Sequence, residues 1–457
     1  MSVNFKETLD KKINYPRVLL CSGNPYLFRT TTIGYLYEIS QVFPVILFVL
    51  PELASEMKEL LKDKKLFPKL EAVVIGFKLT GINFWQLLKN NRKYKNLIKK
   101  TIYDYRPEII ISDTDANIYE LYMMRYGKKI KATNICFQYS LQANEEKEDA
   151  LWSYMTNAYL KVPVFLPFWL RMFFVKLKKY AGHFFYYYIL PVLNGEKPFF
   201  GKSSFILREG GVGLRDADFV TGFTRRDKKL FLKNGVLENK IYILKHPMAR
   251  RKTRDFFQKA LSLNLKGSLS DRKILTIMFP MEKIGFKRGN LSLIDKENSQ
   301  RNKINIISLI SEALPDWKIF LKLHPAAIKE KNFEKIYDIY KIGKNIEITD
   351  PLDPADKYIQ ISKVVVGIPP SSTTLFSASI QCPGKIILSI DLEKELLGDL
   401  FINFEGVEYI NNEKDLKKIL NLIGENKYQK EKNKKRNDDF SDYFSDPVRF
   451  LEFIIKK

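Results

Sequence analysis

The chain reads as an α/β protein of two doubly wound domains, with an aromatic and basic helical segment inserted in the first. Three observations predict this. Short apolar runs alternate with amphipathic helix patterns from Pro16 to about Ala143, and again from Asp271 onward, the signature of sheets covered by helices. Many of these runs, such as Val45–Leu50 and Val364–Val366, are continuously apolar, which implies parallel strands buried on both faces. The length, 457 residues at 45% hydrophobic, suits two or three domains with large cores.

The elements follow in order. Arg17–Ser22 (RVLLCS) is a strand leading through Gly23-Asn24-Pro25 into the helix pattern FRTTTIGYLYEIS. Pro44–Leu50 is a second strand, SEMKELLKDKKLF a helix, LEAVVIGF a third strand, and NNRKYKNLIKKTIYDYRP a helix ended by Arg106-Pro107. Glu108–Ser112 is the next strand, and its exit carries Asp113-Thr114-Asp115. A helix closed by Gly127 and the strand ATNICFQYS follow. Catalytic groups collect at the carboxyl ends of strands in such sheets, so Asp113 and Asp115 are candidates for a base that deprotonates an acceptor hydroxyl. The same run, Asp-Thr-Asp-Ala-Asn, also suits a helix N-cap, and both readings stand. The turn after the first strand lacks the spacing of a dinucleotide fingerprint, so NAD or FAD binding is not expected.

Between residues 151 and 205 the composition changes. LKVPVFLPFWLRMFFVKLKKYAGHFFYYYILPVL is dense in aromatics, with Arg171, Lys176, Lys178 and Lys179 among them. Its prolines and charges prevent a bilayer span, but basic amphipathic segments with Trp and Phe suit a membrane interface. The alternative is a helical insertion packed on the first domain. Downstream, Glu209-Gly210-Gly211 is a flexible turn beside an acid, and the strand KIYIL ends on His246-Pro247 with Arg250 and Arg251 close behind. The expected division is 1–150 for the first part of a Rossmann-like domain, 151–205 for the insertion, 206–262 for the rest of that domain and the linker, and 263–457 for the second domain.

In the second domain RKILTIMFP is a strand whose exit carries Glu282 and Gly285, a polar loop that fits a nucleotide pocket. WKIFLKL is a strand ending on His324-Pro325, and KVVVG is a strand followed by Ile-Pro-Pro and then Ser371, Ser372 and Thr373 at the start of an apolar helix. Twice a buried-type strand thus ends on groups that can meet a phosphate. Free N–H groups and the dipole favour anions at a helix start, and a His at a strand exit can donate to an oxyanion.

This pair, His-Pro after one strand and Ser-Ser-Thr after another, resembles the donor half of GT-B glycosyltransferases, and within them bacterial sialyltransferases, polysialyltransferases and capsule polysaccharide transferases. The resemblance implies two facing Rossmann-like domains, the first for the acceptor and the second for a nucleotide-sugar. It implies that His324, Pro325, Ser371, Ser372 and Thr373 hold the donor phosphate and that His324 assists its departure. Glu209-Gly210 matches the second half of an acid-acid-Gly motif that supplies the base in the polymerising enzymes. No metal or other cofactor is expected, the nucleotide-sugar being a substrate and CMP one candidate nucleotide. A saccharide or glycolipid is the implied acceptor. A nucleotide-sugar 2-epimerase of the same fold, and a non-catalytic basic scaffold bound to membrane or RNA, are the other classes considered.

The charge balance is 76 Lys and Arg against 52 Asp and Glu, a formal +24. It favours anionic partners such as nucleotide-sugars or an acidic membrane surface; a solvated lysine-rich surface explains it as well. Nucleic acid is not expected as the partner. Cys21, Cys136 and Cys382 are far apart and show neither metal nor disulfide spacing. With no signal-peptide pattern at the N-terminus, they read as reduced thiols in a cytoplasmic protein, peripheral to the inner face of the plasma membrane if the insertion meets lipid.

Overall fold

The computed structural model describes residues 15–22, 31–56, 61–77, 84–113, 118–137, 184–198, 216–233, 235–247, 273–280, 296–324, 337–353, 355–368, 374–382, 384–394, 406–428 and 443–457, with 170, 250, 252, 253, 256, 285, 286, 293, 294 and 327.

The first half runs β1 (Val18–Ser22), α1 (Ile33–Ile39), β2 (Val45–Val49), α2 (Pro51–Glu56), β3 (Leu70–Ile75), α3 (Phe84–Tyr105), β4 (Ile109–Ser112), α4 (Ile118–Lys129), β5 (Thr133–Phe137), α5 (Leu190–Leu193), β6 (Phe219–Gly222), α6 (Arg225–Lys233) and β7 (Ile241–Leu244). The second runs β8 (Ile274–Phe279), β9 (Gly285–Phe286), β10 (Leu293–Ile294), α7 (Lys296–Ala313), β11 (Lys318–Leu323), β12 (Ile346–Ile348), α8 (Ala355–Ile361), β13 (Val364–Gly367), α9 (Thr374–Gln381), β14 (Ile386–Ile390), β15 (Glu408–Ile410), α10 (Glu413–Gly424), β16 (Tyr443–Phe444) and α11 (Pro447–Lys456).

The first sheet has eight strands in the order β16-β7-β6-β5-β4-β1-β2-β3, every pair parallel. The continuously apolar β1, β2 and β4 are buried throughout, as burial on both faces requires. Val18, Leu20 and Val45 pack with Leu36 and Ile39 of α1 and with Phe450 and Leu451 of α11. Leu19, Cys21 and Ile46 face the other way, onto Tyr94 and Ile98 of α3 and Tyr122 of α4. The strand order reverses between β1 and β4, and that is where ligands settle in an open sheet.

Gly127 lies inside α4 rather than closing it. A Cβ there would collide with the Ile110 side chain and come within 2.8 Å of Asn134 Oδ1, so glycine is what lets the helix approach the sheet. The left-handed residue past the helix end is Lys131, at φ 63°.

The second sheet has six parallel strands in the order β12-β11-β8-β13-β14-β15. Leu275, Ile277 and Phe279 pack on α7 and α10, while Met278, Val365 and Ile387 lie with Leu375 and Ala378 of α9 in the same continuous apolar cluster as the core beside α1. Lys385 is buried because its ammonium donates to the carbonyls of Ile359 and Gln360 in the last turn of α8 and of Ser362 just past it, acceptors that a helix end leaves open.

The chain then returns to the first domain. Tyr443 and Phe444 pair with Ile243 and Leu244, and Asp446 starts α11 by accepting from Arg449 N at 2.9 Å, with Pro447 in the first helical turn, a favoured N-terminal pair. The expected division, 263–457 for the second domain, counts these residues with that domain, whereas 443–444 pair with the first sheet.

Candidate functional site

At the switch point of the first sheet stands Asp113, the residue after β4. Its neighbours across the crevice are Ser22, the last residue of β1, and Thr32, immediately before α1. Ser22 Oγ donates to Asp113 Oδ2 at 2.8 Å, and Thr32 Oγ1 donates to Oδ1 at 3.0 Å. Only 6% of Asp113 is exposed, and 1% of each hydroxyl residue. Burial pushes the carboxyl up from its ordinary 3.8 to about 7, although both hydroxyl bonds pull it down. The backbone N–H groups that a cap at Asp113 would serve belong to residues 114–117, which lie outside the described residues. Ser22 and Thr32 did not stand out in the sequence. The available signal was the hydroxyl-rich run Thr30-Thr31-Thr32 between a strand exit and an apolar helix.

The second sheet brings His324 to the exit of β11. Leu323 pairs with Phe279 and Gly367 with Met278, so His324 and the residue after Gly367 leave the sheet on the same edge with β8 between them. Two strand spacings place those exits about 10 Å apart. His324 is exposed, and its carbonyl accepts from Ala327 N at 2.9 Å. Two residues before His324, Lys322 is buried and donates to the carbonyls of Leu323 at 2.6 Å and Pro351 at 3.1 Å. Burial lowers its pKa from the ordinary 10.5 to about 8. These bonds tie the loop after β12 to the strand that carries His324.

Gly367 closes β13. A Cβ there would lie 2.9 Å from Leu375 Cγ and closer still to its Cδ1, so its absence lets the first turn of α9 sit tightly on the strand end. Because Leu375 is fully buried, Gly367→Ala is expected to push α9 outward. The measurable result is a loss of about 1–3 kcal/mol of stability, read as a lower melting temperature.

Asp115, Glu209, Glu282, Pro325, Ser371, Ser372 and Thr373 lie outside the described residues; Ile368 and Thr374 are the described neighbours of the Ser-Ser-Thr run. The other His-Pro histidine, His246, is a packed core residue. It meets the Phe223 ring edge-on at 4.6 Å and is held neutral, its pKa lowered to about 3 by burial and then by Arg250. Most of the insertion is outside the described residues as well. In its described part, Leu190 is buried in the core beside α3 and α4 and Phe185 packs partly against it, while Phe184, Tyr188, Val192 and Leu193 are exposed. Among the described residues no helix is long and apolar enough to cross a membrane, and no three His, Cys, Asp or Glu side chains converge as a metal site. Cys21 and Cys136 are buried free thiols and Cys382 a half-buried one.

No family model matches the chain, and no curated protein matches it. Among solved structures it is similar to a UDP-N-acetylglucosamine 2-epimerase at 11% identity and a TM-score of 0.52, over 90% of this chain and 88% of that one. It is also similar to the glycotransferase of kitacinnamycin at 10% identity and a TM-score of 0.49, over 90% of both chains. A third is the Methanocaldococcus jannaschii UDP-GlcNAc 2-epimerase in complex with UDP-GlcNAc and UDP, at 14% identity and a TM-score of 0.47, over 96% of this chain and all of that one. At such identities the likeness is one of fold, and the first of the three carries it: two doubly wound domains in the GT-B arrangement.

Proposed function

We propose that the chain is a glycosyltransferase that moves a sugar from a nucleotide-sugar to a saccharide or glycolipid acceptor, with CMP one candidate nucleotide. The observation that carries this reading is the Asp113 carboxyl, buried at the switch point of the first sheet and held near neutral pH, the range a general base needs. The second sheet offers His324 at a strand exit and, before α9, the sequence run Ser371-Ser372-Thr373. Asp113 takes the proton of the acceptor hydroxyl as its oxygen bonds to the anomeric carbon. The bond from that carbon to the phosphate oxygen breaks, and His324 with the hydroxyls receives the negative charge on the leaving phosphate. In this reading the exposed Phe184 and Tyr188 belong to the segment that meets an acidic membrane bearing the acceptor.

The 2-epimerase reading is favoured by the fold likeness to such an enzyme. Fold alone does not choose a reaction, and soluble epimerisation has no use for the aromatic, basic segment. Panels of CMP-, CDP- and UDP-sugars, with and without saccharide acceptors, separate the two: transfer needs the acceptor, whereas epimerisation changes the donor without one. His324→Ala is expected to lower turnover about 100-fold, as loss of one preorganised oxyanion donor does. Ser371→Ala and Ser372→Ala should each weaken nucleotide binding by about 1 kcal/mol. His246→Ala is the control, and its cost should appear in melting temperature instead. Wild-type donor affinity in His324→Ala and both serine variants would sink the phosphate-site reading and favour the non-catalytic scaffold.

A further inference from the structure

The hydroxyls around Asp113 carry an inference that rests on reading Asp113 as the base. We infer that Ser22 and Thr32 are the positioning residues of that base: together they fix the carboxylate's plane at the switch point and hold it in the ionised form that accepts a proton.

The three residues meet because the topology brings them together. In the β1–β4 register Cys21 faces Ser112, so Ser22 and Asp113 emerge level on neighbouring strands. α1 begins at Ile33 and sets Thr32 over the same edge. Each hydroxyl serves a different carboxylate oxygen. One such bond leaves the carboxyl free to turn about its last torsion, whereas bonds to both oxygens define its plane.

The same geometry selects a protonation state. An ionised carboxylate only accepts, with about four lone-pair directions, so two remain for an acceptor hydroxyl. A protonated carboxyl accepts more weakly, above all at the oxygen that carries the proton, so the two hydroxyl bonds lose strength. The pair therefore favours the anion against burial, which favours the neutral acid. Among the described residues, burial acts most on Asp113, followed by the two hydroxyls. Of the ionisable groups near it, the Cys21 thiol on β1 and the Tyr35 phenol on α1 are themselves pushed up by burial and stay neutral, with Asp113 adding to the effect on both. Glu120 on α4 acts with Asp113 on Cys21, and Glu38 and Arg250 act on Tyr35.

If the hydroxyls merely braced the turn, their removal would change stability and leave the titration of Asp113 where it is. The test is isotope-edited infrared titration of protein carrying ¹³C-labelled aspartate, with Asp113→Asn subtracted to assign the band. Ser22→Ala and Thr32→Val are each expected to raise the midpoint by about one pH unit, the worth of one hydrogen bond to a charged acceptor. Thr32→Ser and Ser22→Thr keep a hydroxyl, guard against variants that fail to fold, and should titrate near the wild type. Midpoints unchanged in both Ser22→Ala and Thr32→Val overturn the inference. The base reading is tested apart from it: once a donor and an acceptor are in hand, full transfer activity in Asp113→Asn would overturn that reading and leave the titration result standing.

Discussion

Asp113→Asn is expected to lower the proposed transfer by about 10²- to 10⁴-fold, the range for loss of a positioned general base, and to raise the stability of the protein at pH 8. The two effects have one cause. The carboxyl has a pKa of about 7 when folded, against an ordinary 3.8. Between these values the folded protein holds a proton that the unfolded chain has released. Its contribution is therefore fully present below pH 4 and is lost as pH rises through 7, a loss approaching about 4 kcal/mol. Asparagine has nearly the same shape and carries no charge, and Ser22 and Thr32 can rotate to donate to its oxygen or accept from its nitrogen. The difference in melting temperature between variant and wild type should thus grow from pH 5 to pH 8. A residue kept at a cost to stability is what a functional site looks like. A variant that is both active and less stable at pH 8 would make Asp113 a structural residue.

The second large effect concerns stability and sits further along α1. Arg250 follows β7, and its Nε lies 2.7 Å from Glu38 Oε1 on α1, with the two side chains only 8% and 11% exposed. Arg250 also donates to the Lys245 carbonyl at 2.9 Å and lies over the Tyr35 ring at 5.5 Å from its centroid. Thr253 donates to the same Glu38 oxygen, and Phe256 stacks on Tyr37 at 4.4 Å. The segment after β7 is thereby fastened to α1. Arg250→Ala leaves the Glu38 carboxyl buried without its cation, which should cost about 3–5 kcal/mol and on the order of 5–10 °C in melting temperature. Glu38→Leu with Arg250→Met should recover most of it, because two desolvated charges are then no longer required. The pair is already costly: burial outweighs Arg250 and pushes Glu38 up to about 7. A loss below about 1 kcal/mol for Arg250→Ala would show that the bond contributes nothing to the fastening.

The three shifted groups also predict the sign of the pH dependence. Asp113 and Glu38, both raised, contribute stability that is lost as pH rises toward 7. His246, lowered from 6.5 to about 3, contributes stability that is lost as pH falls through that window. The two carboxyls outweigh the one imidazole between pH 5 and 7.

What the sequence determined by itself was the alternation and its consequence. Apolar runs such as VILFV and VVVG can only be strands buried on both faces, and the helices between them force parallel pairing and two sheets. That also placed Asp113 and His324 at strand exits, since a motif's position relative to a strand end is local information. The tertiary structure decided the rest, because the contacts concerned join residues distant in the chain. Asp113 finds Ser22 and Thr32 across 91 and 81 residues, and no local pattern links them. Gly127 looked like a helix end and is a helix interior, because the side chains that exclude a Cβ come from β4 and β5. His246-Pro247 and His324-Pro325 both follow a strand in the sequence, and burial against Phe223 and Arg250 makes His246 a core residue while His324 stays exposed. The last fifteen residues fall with the second domain in the division expected from the sequence. They add a strand and a helix to the first domain, because Phe450, Leu451 and Ile454 find their apolar partners there.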